Sequence, residues 1–366
     1  MDVRAKVIFV LLPFFLLISN AYGADFKPPL HLKWVTKLKK EKAVTKRPYQ
    51  FASPAVTEDA IYVGAASGYF YALSSKSGFK IWNAKLKGGV YSEPYVDTDN
   101  VYIADRKGIV YALNKKNGQI EWQIETGEEI SSKPAVDNDV IYVATTQKHI
   151  VALDKFGRGK KWQTSKVGSL QQITIKGSSS PLMYNGNIYV GYADGTFNCF
   201  KASNGELVWS KQLSDRASQF IDVDSTPLIL DGVIYVASMD GKTHAISPAD
   251  GSVIWQADRG GPNDVVTDGE KLYITGGGRL AAVDPKNGTI LWEHNFHDIE
   301  ISSPAIKDGF LSLISTSEKL FVVDDKTGEI KYNRYLGKGS FGKPVIFGDV
   351  IYILTNSSSL FALQGS

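Results

Sequence analysis

Ser53-Pro54, Ile61-Tyr62-Val63, Gly68, Tyr71-Ala72-Leu73, Gly78 and Trp82 mark out a stretch that the chain then writes again as Pro94, Tyr102, Gly108, Tyr111-Ala112-Leu113, Gly118 and Trp122. The pattern continues to the C-terminus. Its tryptophans, Trp82, Trp122, Trp162, Trp209, Trp255 and Trp292, follow one another at 40, 40, 47, 46 and 37 residues, and Tyr332 takes the same slot 40 residues later. A repeat of about 40 residues is the length of one four-stranded blade. Each copy holds four short apolar runs separated by turn residues; in the first they are 53–56, 60–65, 69–74 and 80–86, with Gly68 and Gly78 in the turns. This is the punctuation of an all-β chain, and no stretch of helical period competes with it. The proline sits at the start of each first strand, where its missing N–H removes no ladder bond.

The last copy has Pro344, Ile351-Tyr352-Ile353 and Leu360-Phe361-Ala362-Leu363 but no tryptophan strand. The run Leu30 to Lys37, with Trp34, precedes the first full copy and supplies one. The reading is therefore an all-β, eight-bladed β-propeller of four-stranded antiparallel blades over residues 24–366, its ring closed by an N-terminal strand joining the C-terminal blade. Closure removes two open sheet edges, which are aggregation hazards. Separate small cores between blades let a chain of 366 residues fold as one domain.

Forty-one basic residues against 38 acidic give a formal charge of +3, too balanced for nucleic-acid binding. Residues 1–23 read as a signal peptide: Arg4 and Lys6, an apolar run from Val7 to Ile18, and Ala21-Tyr22-Gly23 before the cut. That run is too short for an ordinary membrane span and contains no cysteine for a lipid anchor. The expected location is the periplasm. The lone cysteine, Cys199, falls where other copies carry Ala72, Ala112 or Ala152, and so reads as a small buried residue. His244 occupies the slot of Tyr71 and Tyr111, and the five histidines show no metal-ligand spacing. With no phosphate loop, nucleophile elbow or zinc motif, no catalytic, cofactor-binding or metal-binding residue is assigned.

The strings Ala282-Val-Asp-Pro-Lys-Asn-Gly-Thr-Ile-Leu-Trp292 and Val322-Val-Asp-Asp-Lys-Thr-Gly-Glu-Ile-Lys-Tyr332 resemble the repeat of the quinoprotein-type propellers. One branch of that group, the dehydrogenases, holds pyrroloquinoline quinone with calcium, in several cases beside a disulfide of adjacent cysteines, which a single cysteine excludes. A dehydrogenase-like enzyme and a periplasmic ligand- or glycan-binding propeller remain as alternative readings.

The other branch is the BamB-type family of assembly factors, and the irregularities of the repeat point to it. From the blade tryptophan to the next proline the count is 12 at 82 to 94, 122 to 134 and 292 to 304, but 19 from Trp162 to Pro181 and 18 from Trp209 to Pro227. Insertions in consecutive blades emerge side by side on one face, where repeat proteins commonly bind partners. Ile173-Thr-Ile-Lys-Gly-Ser-Ser-Ser-Pro181 and Phe220-Ile-Asp-Val-Asp-Ser-Thr-Pro227 are similar to loops of that family. The resemblance implies a non-enzymatic scaffold that assists insertion of β-barrel proteins into the outer membrane, acting as a monomer within a complex. Ile173, Ile175, Lys176, Asp222 and Asp224 would engage a polypeptide-transport-associated (POTRA) domain of a BamA-like insertase. Unfolded outer-membrane proteins are a second class of partner that it implies.

Overall fold

The computed structural model describes residues 25–38, 52–165, 178–214, 220–261, 263–297, 299–337, 339–340 and 342–366. They form eight four-stranded antiparallel sheets set as the blades of a propeller. In the first blade the strands run Ala55–Val56, Ala60–Gly64, Tyr69–Ser74 and Lys80–Lys85, from the channel outward. Six further blades repeat this order along the chain. The eighth is built from both ends: His31–Lys37 pairs with Ser359–Gln364, with Trp34 opposite Ala362 and Lys37 opposite Ser359. Closure by an N-terminal strand is therefore as expected. The segment 1–23 lies outside the described residues, among which no helix is long and apolar enough to cross a membrane.

Small hydrophobic cores lie between neighbouring blades rather than in one common centre. Tyr62, Trp82 and Phe70 of the first blade pack with Val101, Ile103 and Tyr111 of the second, and Leu73 and Val63 pack with Tyr352 and Leu360 across the closure. Within a blade, each tryptophan leans on a tyrosine of the second strand; the Trp82–Tyr62 and Trp209–Tyr189 ring centroids are 6.0 and 5.8 Å apart. The indole then reaches across to the next blade. Trp82 Nε1 donates to the Lys115 carbonyl at 3.0 Å, Trp122 to Lys155 at 3.1 Å and Trp292 to Asp325 at 3.0 Å. Tyr189 Oη and Trp209 Nε1 both donate to the Pro248 carbonyl, at 3.2 and 3.1 Å. Each such aromatic contributes about 2 to 3 kcal/mol by area bookkeeping, and its polar tip is satisfied as it is buried.

The turn glycine of the repeat explains itself here. Gly118 has φ +73°, a conformation that a β-carbon disfavours, and a Cβ placed on it would lie 2.3 Å from Trp82 Cε3. The glycine is the flat seat on which the preceding blade's indole rests. Gly78 under Trp34, Gly205 under Trp162 and Gly328 under Trp292 make the same contact. Tyr332 has no glycine seat; its hydroxyl donates to the Leu30 carbonyl at 3.0 Å, and Arg334 Nη1 donates there at 3.1 Å. Leu30 is thus a landing site rather than part of the closing strand, which begins at His31 and not at Leu30 as expected. Likewise the first inner strand begins at Ala55 rather than Ser53, whose hydroxyl accepts the backbone N–H of Lys343 at 3.1 Å.

Candidate functional site in the central channel

The inner strand of each blade is entered through the residue before its proline, and in blade order these residues are Ser53, Glu93, Lys133, Ser180, Thr226, Asp264, Ser303 and Lys343. In the sixth blade Val265 stands in the proline's place, so the expectation of a proline at the start of every first strand fails there. All eight line a single cavity of about 330 Å³ in the channel. Arg106, Glu129, Tyr91, Ser131 and Asp224 complete the parts of its wall that matter below. Backbone N–H groups of this ring are held by the next blade's side chains. Lys133 N–H donates to Ser180 Oγ at 3.0 Å, Thr226 N–H to Asp264 Oδ1 at 2.6 Å and Asp264 N–H to Ser303 Oγ at 3.0 Å. A proline follows most of these residues, so the chain is stiff at the channel wall and the hydroxyl or carboxylate stitches one blade to its neighbour.

Charges cross the channel in a chain of four. Lys133 is paired with Glu93, and Lys343 Nζ lies 3.6 Å from Glu93 Oε2 and 3.8 Å from Asp264 Oδ2. Blades three, two, eight and six are thereby tied together through the middle of the ring. Desolvation by the wall pulls the Lys343 ammonium's pKa down, but the carboxylates of Asp264 and Glu93 outweigh it, and the net direction is up. The lysine stays charged. Arg106 is paired with Glu129 at the rim and lies 5.1 Å from the ring centre of Tyr91.

Of the residues expected to contact a partner, Ile173, Ile175 and Lys176 lie outside the described residues. Asp222 and Asp224 are only 2% and 4% exposed, so the expectation that both stand out from the surface is corrected. The described end of the second long connection, residues 220–226, packs inward: Val223 is fully buried, its N–H donates to the Tyr192 carbonyl at 3.0 Å, and Met239 N–H donates to the Asp222 carbonyl at 2.9 Å. Asp224 reaches the cavity wall. Phe220, at the start of this described stretch, is 42% exposed. Both long connections end on the wall, at Ser178–Ser180 and Asp224–Thr226, so they share the face on which the cavity is built.

Cys199 is fully buried, and that burial pushes its thiol up to about 11, the setting of a packing residue. His244 is also buried, which lowers its pKa to about 4, with Nε2 at 3.4 Å from Ser238 Oγ. Among the described residues no group of three or more His, Cys, Asp or Glu side chains is placed to hold a metal ion. The wall does not fit a calcium-bound quinone bearing three carboxylates. With its calcium such a group is still a net anion, whereas the wall sets three cations, Lys133, Lys343 and Arg106, against four carboxylates, Glu93, Glu129, Asp224 and Asp264, and the cations are already shared with Glu93 and Glu129.

The ring of pre-proline residues was missed in the sequence, although the position before each proline was in plain view.

Comparison with curated protein sequences gave no match. Among solved structures, BamB from Moraxella catarrhalis superposes with a TM-score of 0.79 at 17% identity, over 92% of this chain and 100% of that one. A quinohemoprotein alcohol dehydrogenase from Pseudomonas putida HK5 gives 0.73 at 15% identity, over 92% of this chain and 76% of that one. The computationally designed Ika8 protein gives 0.73 at 13%, over 87% of this chain and 97% of that one. At these identities the likenesses establish a shared fold. The family described as "Outer membrane protein assembly factor BamB" matches at residues 34–129, 71–276 and 276–366, nearly the whole ring, and the chain belongs to that family.

Proposed function

We propose that this protein is a non-enzymatic periplasmic scaffold that assists the assembly of β-barrel proteins into the outer membrane by docking on a BamA-like insertase. The observation that carries this reading is the family match across residues 34–366, joined to the two lengthened connections that leave adjacent blades. The first connection, with Ile173, Ile175 and Lys176, is the proposed contact. On an extended segment alternate residues point the same way, so the two isoleucines form an apolar anchor and Lys176 sets orientation. Asp222 and Asp224 belong to the second connection and are buried within it. The channel wall, with more carboxylates than cations and its cations already paired, is unsuited to a quinone tricarboxylate and supports a role without that cofactor.

The test is a calorimetric titration of the exported chain with the purified periplasmic domains of a BamA-type protein. Saturable binding that Ile175→Glu weakens, with an unchanged melting curve, supports the proposal. Unfolding by Ile175→Glu would mean that the isoleucine packs inward, and normal binding by the variant would remove the first connection from the interface.

A further inference from the structure

The four charged side chains of the inner ring alternate in sign around the channel: Glu93 in the second blade, Lys133 in the third, Asp264 in the sixth and Lys343 in the eighth. The other four positions of the ring, Ser53, Ser180, Thr226 and Ser303, are small, and the room they leave is the cavity of about 330 Å³. That is within the range of small-molecule sites, roughly 300 to 1,000 Å³. We infer that this cavity is a binding site for a neutral, polyhydroxylated ligand of the size of a mono- or disaccharide.

A cationic ligand meets Lys133, Lys343 and Arg106, and an anionic one meets Glu93, Glu129, Asp224 and Asp264, so either brings an unfavourable set of contacts with it. A hydroxyl is both donor and acceptor. It can accept from a lysine while donating to the neighbouring carboxylate, and a row of vicinal hydroxyls repeats that pattern along the alternating wall. The distances leave the opening for this. At 3.6 and 3.8 Å the Lys343 ammonium attracts Glu93 and Asp264 without reaching hydrogen-bond length, so a ligand hydroxyl lying beside a pair, on its channel side, can accept from the ammonium and donate to the carboxylate. Tyr91 adds an aromatic surface at the rim, with the Arg106 guanidinium 5.1 Å from its centre. The site is pre-formed. Its backbone is stitched by Lys133 to Ser180 and Asp264 to Ser303, so little ordering opposes binding.

The inference is independent of partner docking and is tested without it. The full chain is titrated by calorimetry with glucose, N-acetylglucosamine and maltose, and with glucuronate and glucosamine as charged counterparts. We expect saturable one-to-one binding of at least one neutral sugar and binding about tenfold or more weaker for the charged counterparts, since a charge-assisted hydrogen bond is replaced by repulsion. Lys343→Met removes the bridging ammonium, and Ser131→Phe fills the cavity while leaving the ion chain intact; each is expected to weaken the neutral sugar about tenfold or more. Should Lys343→Met fail to fold, Ser131→Phe and the comparison of neutral with charged sugars still decide. Failure of every neutral sugar to bind, equal binding of charged and neutral forms, or undiminished binding by a folded Ser131→Phe variant would overturn the inference.

Discussion

If the turn glycines are seats for the indoles and not only φ-permissive turn residues, Gly118→Ala and Gly186→Ala should differ sharply. The two positions share nearly the same backbone, φ +73° and +74°. A Cβ on Gly186 meets nothing within 4 Å, so that variant reports the cost of the left-handed conformation alone, about 1 to 2 kcal/mol. A Cβ on Gly118 would lie 2.3, 2.6 and 3.0 Å from three atoms of the Trp82 ring, all inside van der Waals contact. The indole has to withdraw. That costs roughly 1 to 3 kcal/mol of overpacking, together with about 1 kcal/mol for the Nε1 bond to the Lys115 carbonyl. Gly118→Ala is thus expected to destabilise the ring by roughly 2 to 4 kcal/mol more than Gly186→Ala. Guanidinium unfolding followed by tryptophan fluorescence measures both, and equal shifts of midpoint would refute the seat.

Other expectations follow from single sites. Removal of residues 24 to 40 takes away the strand that pairs with Ser359–Gln364 and is expected to lower the melting temperature and promote self-association through the exposed edge; an unchanged, monomeric melt would rule out closure by this strand. His244, whose folded pKa of about 4 is below its ordinary 6.5, binds its proton in the unfolded chain first. Its contribution to stability is therefore full above pH 6.5 and lost as the pH falls towards 4, on the order of 3 kcal/mol at most. His244→Asn, the residue type of the fourth blade at Asn198, should flatten that limb of a stability-versus-pH curve. Cys199 is expected to resist alkylation at neutral pH until the chain is unfolded, and rapid labelling of the native protein would contradict its placement. Added pyrroloquinoline quinone and calcium should produce no alcohol or sugar oxidation in a dye-linked assay; turnover would overturn the non-enzymatic reading.

The repeat was legible because each of its marks has a local physical cause: glycine where φ is positive, tryptophan where a neighbour has to be covered, tyrosine beneath it. The closing strand could be found by asking which copy lacked its tryptophan. What could not be read was anything that depends on closure itself. Glu93, Lys133, Asp264 and Lys343 are far apart in the chain, and only the ring brings them within ion-pair distance. The path of the described end of the second connection, residues 220–226, was equally hidden. Asp222 and Asp224 look like exposed loop carboxylates, but burial of Val223 against the Tyr192 turn carries them inward, a packing outcome with no periodic signature.

The central claim is docking on a BamA-like insertase, and its most direct measurement is the affinity of the purified periplasmic domains of such a protein for the wild-type chain and for Ile175→Glu, each with its melting curve. The account predicts saturable binding for the wild type and, for the variant, a loss of about 2 kcal/mol or more, roughly thirtyfold, with the melt unchanged. No binding by the wild-type chain would contradict it.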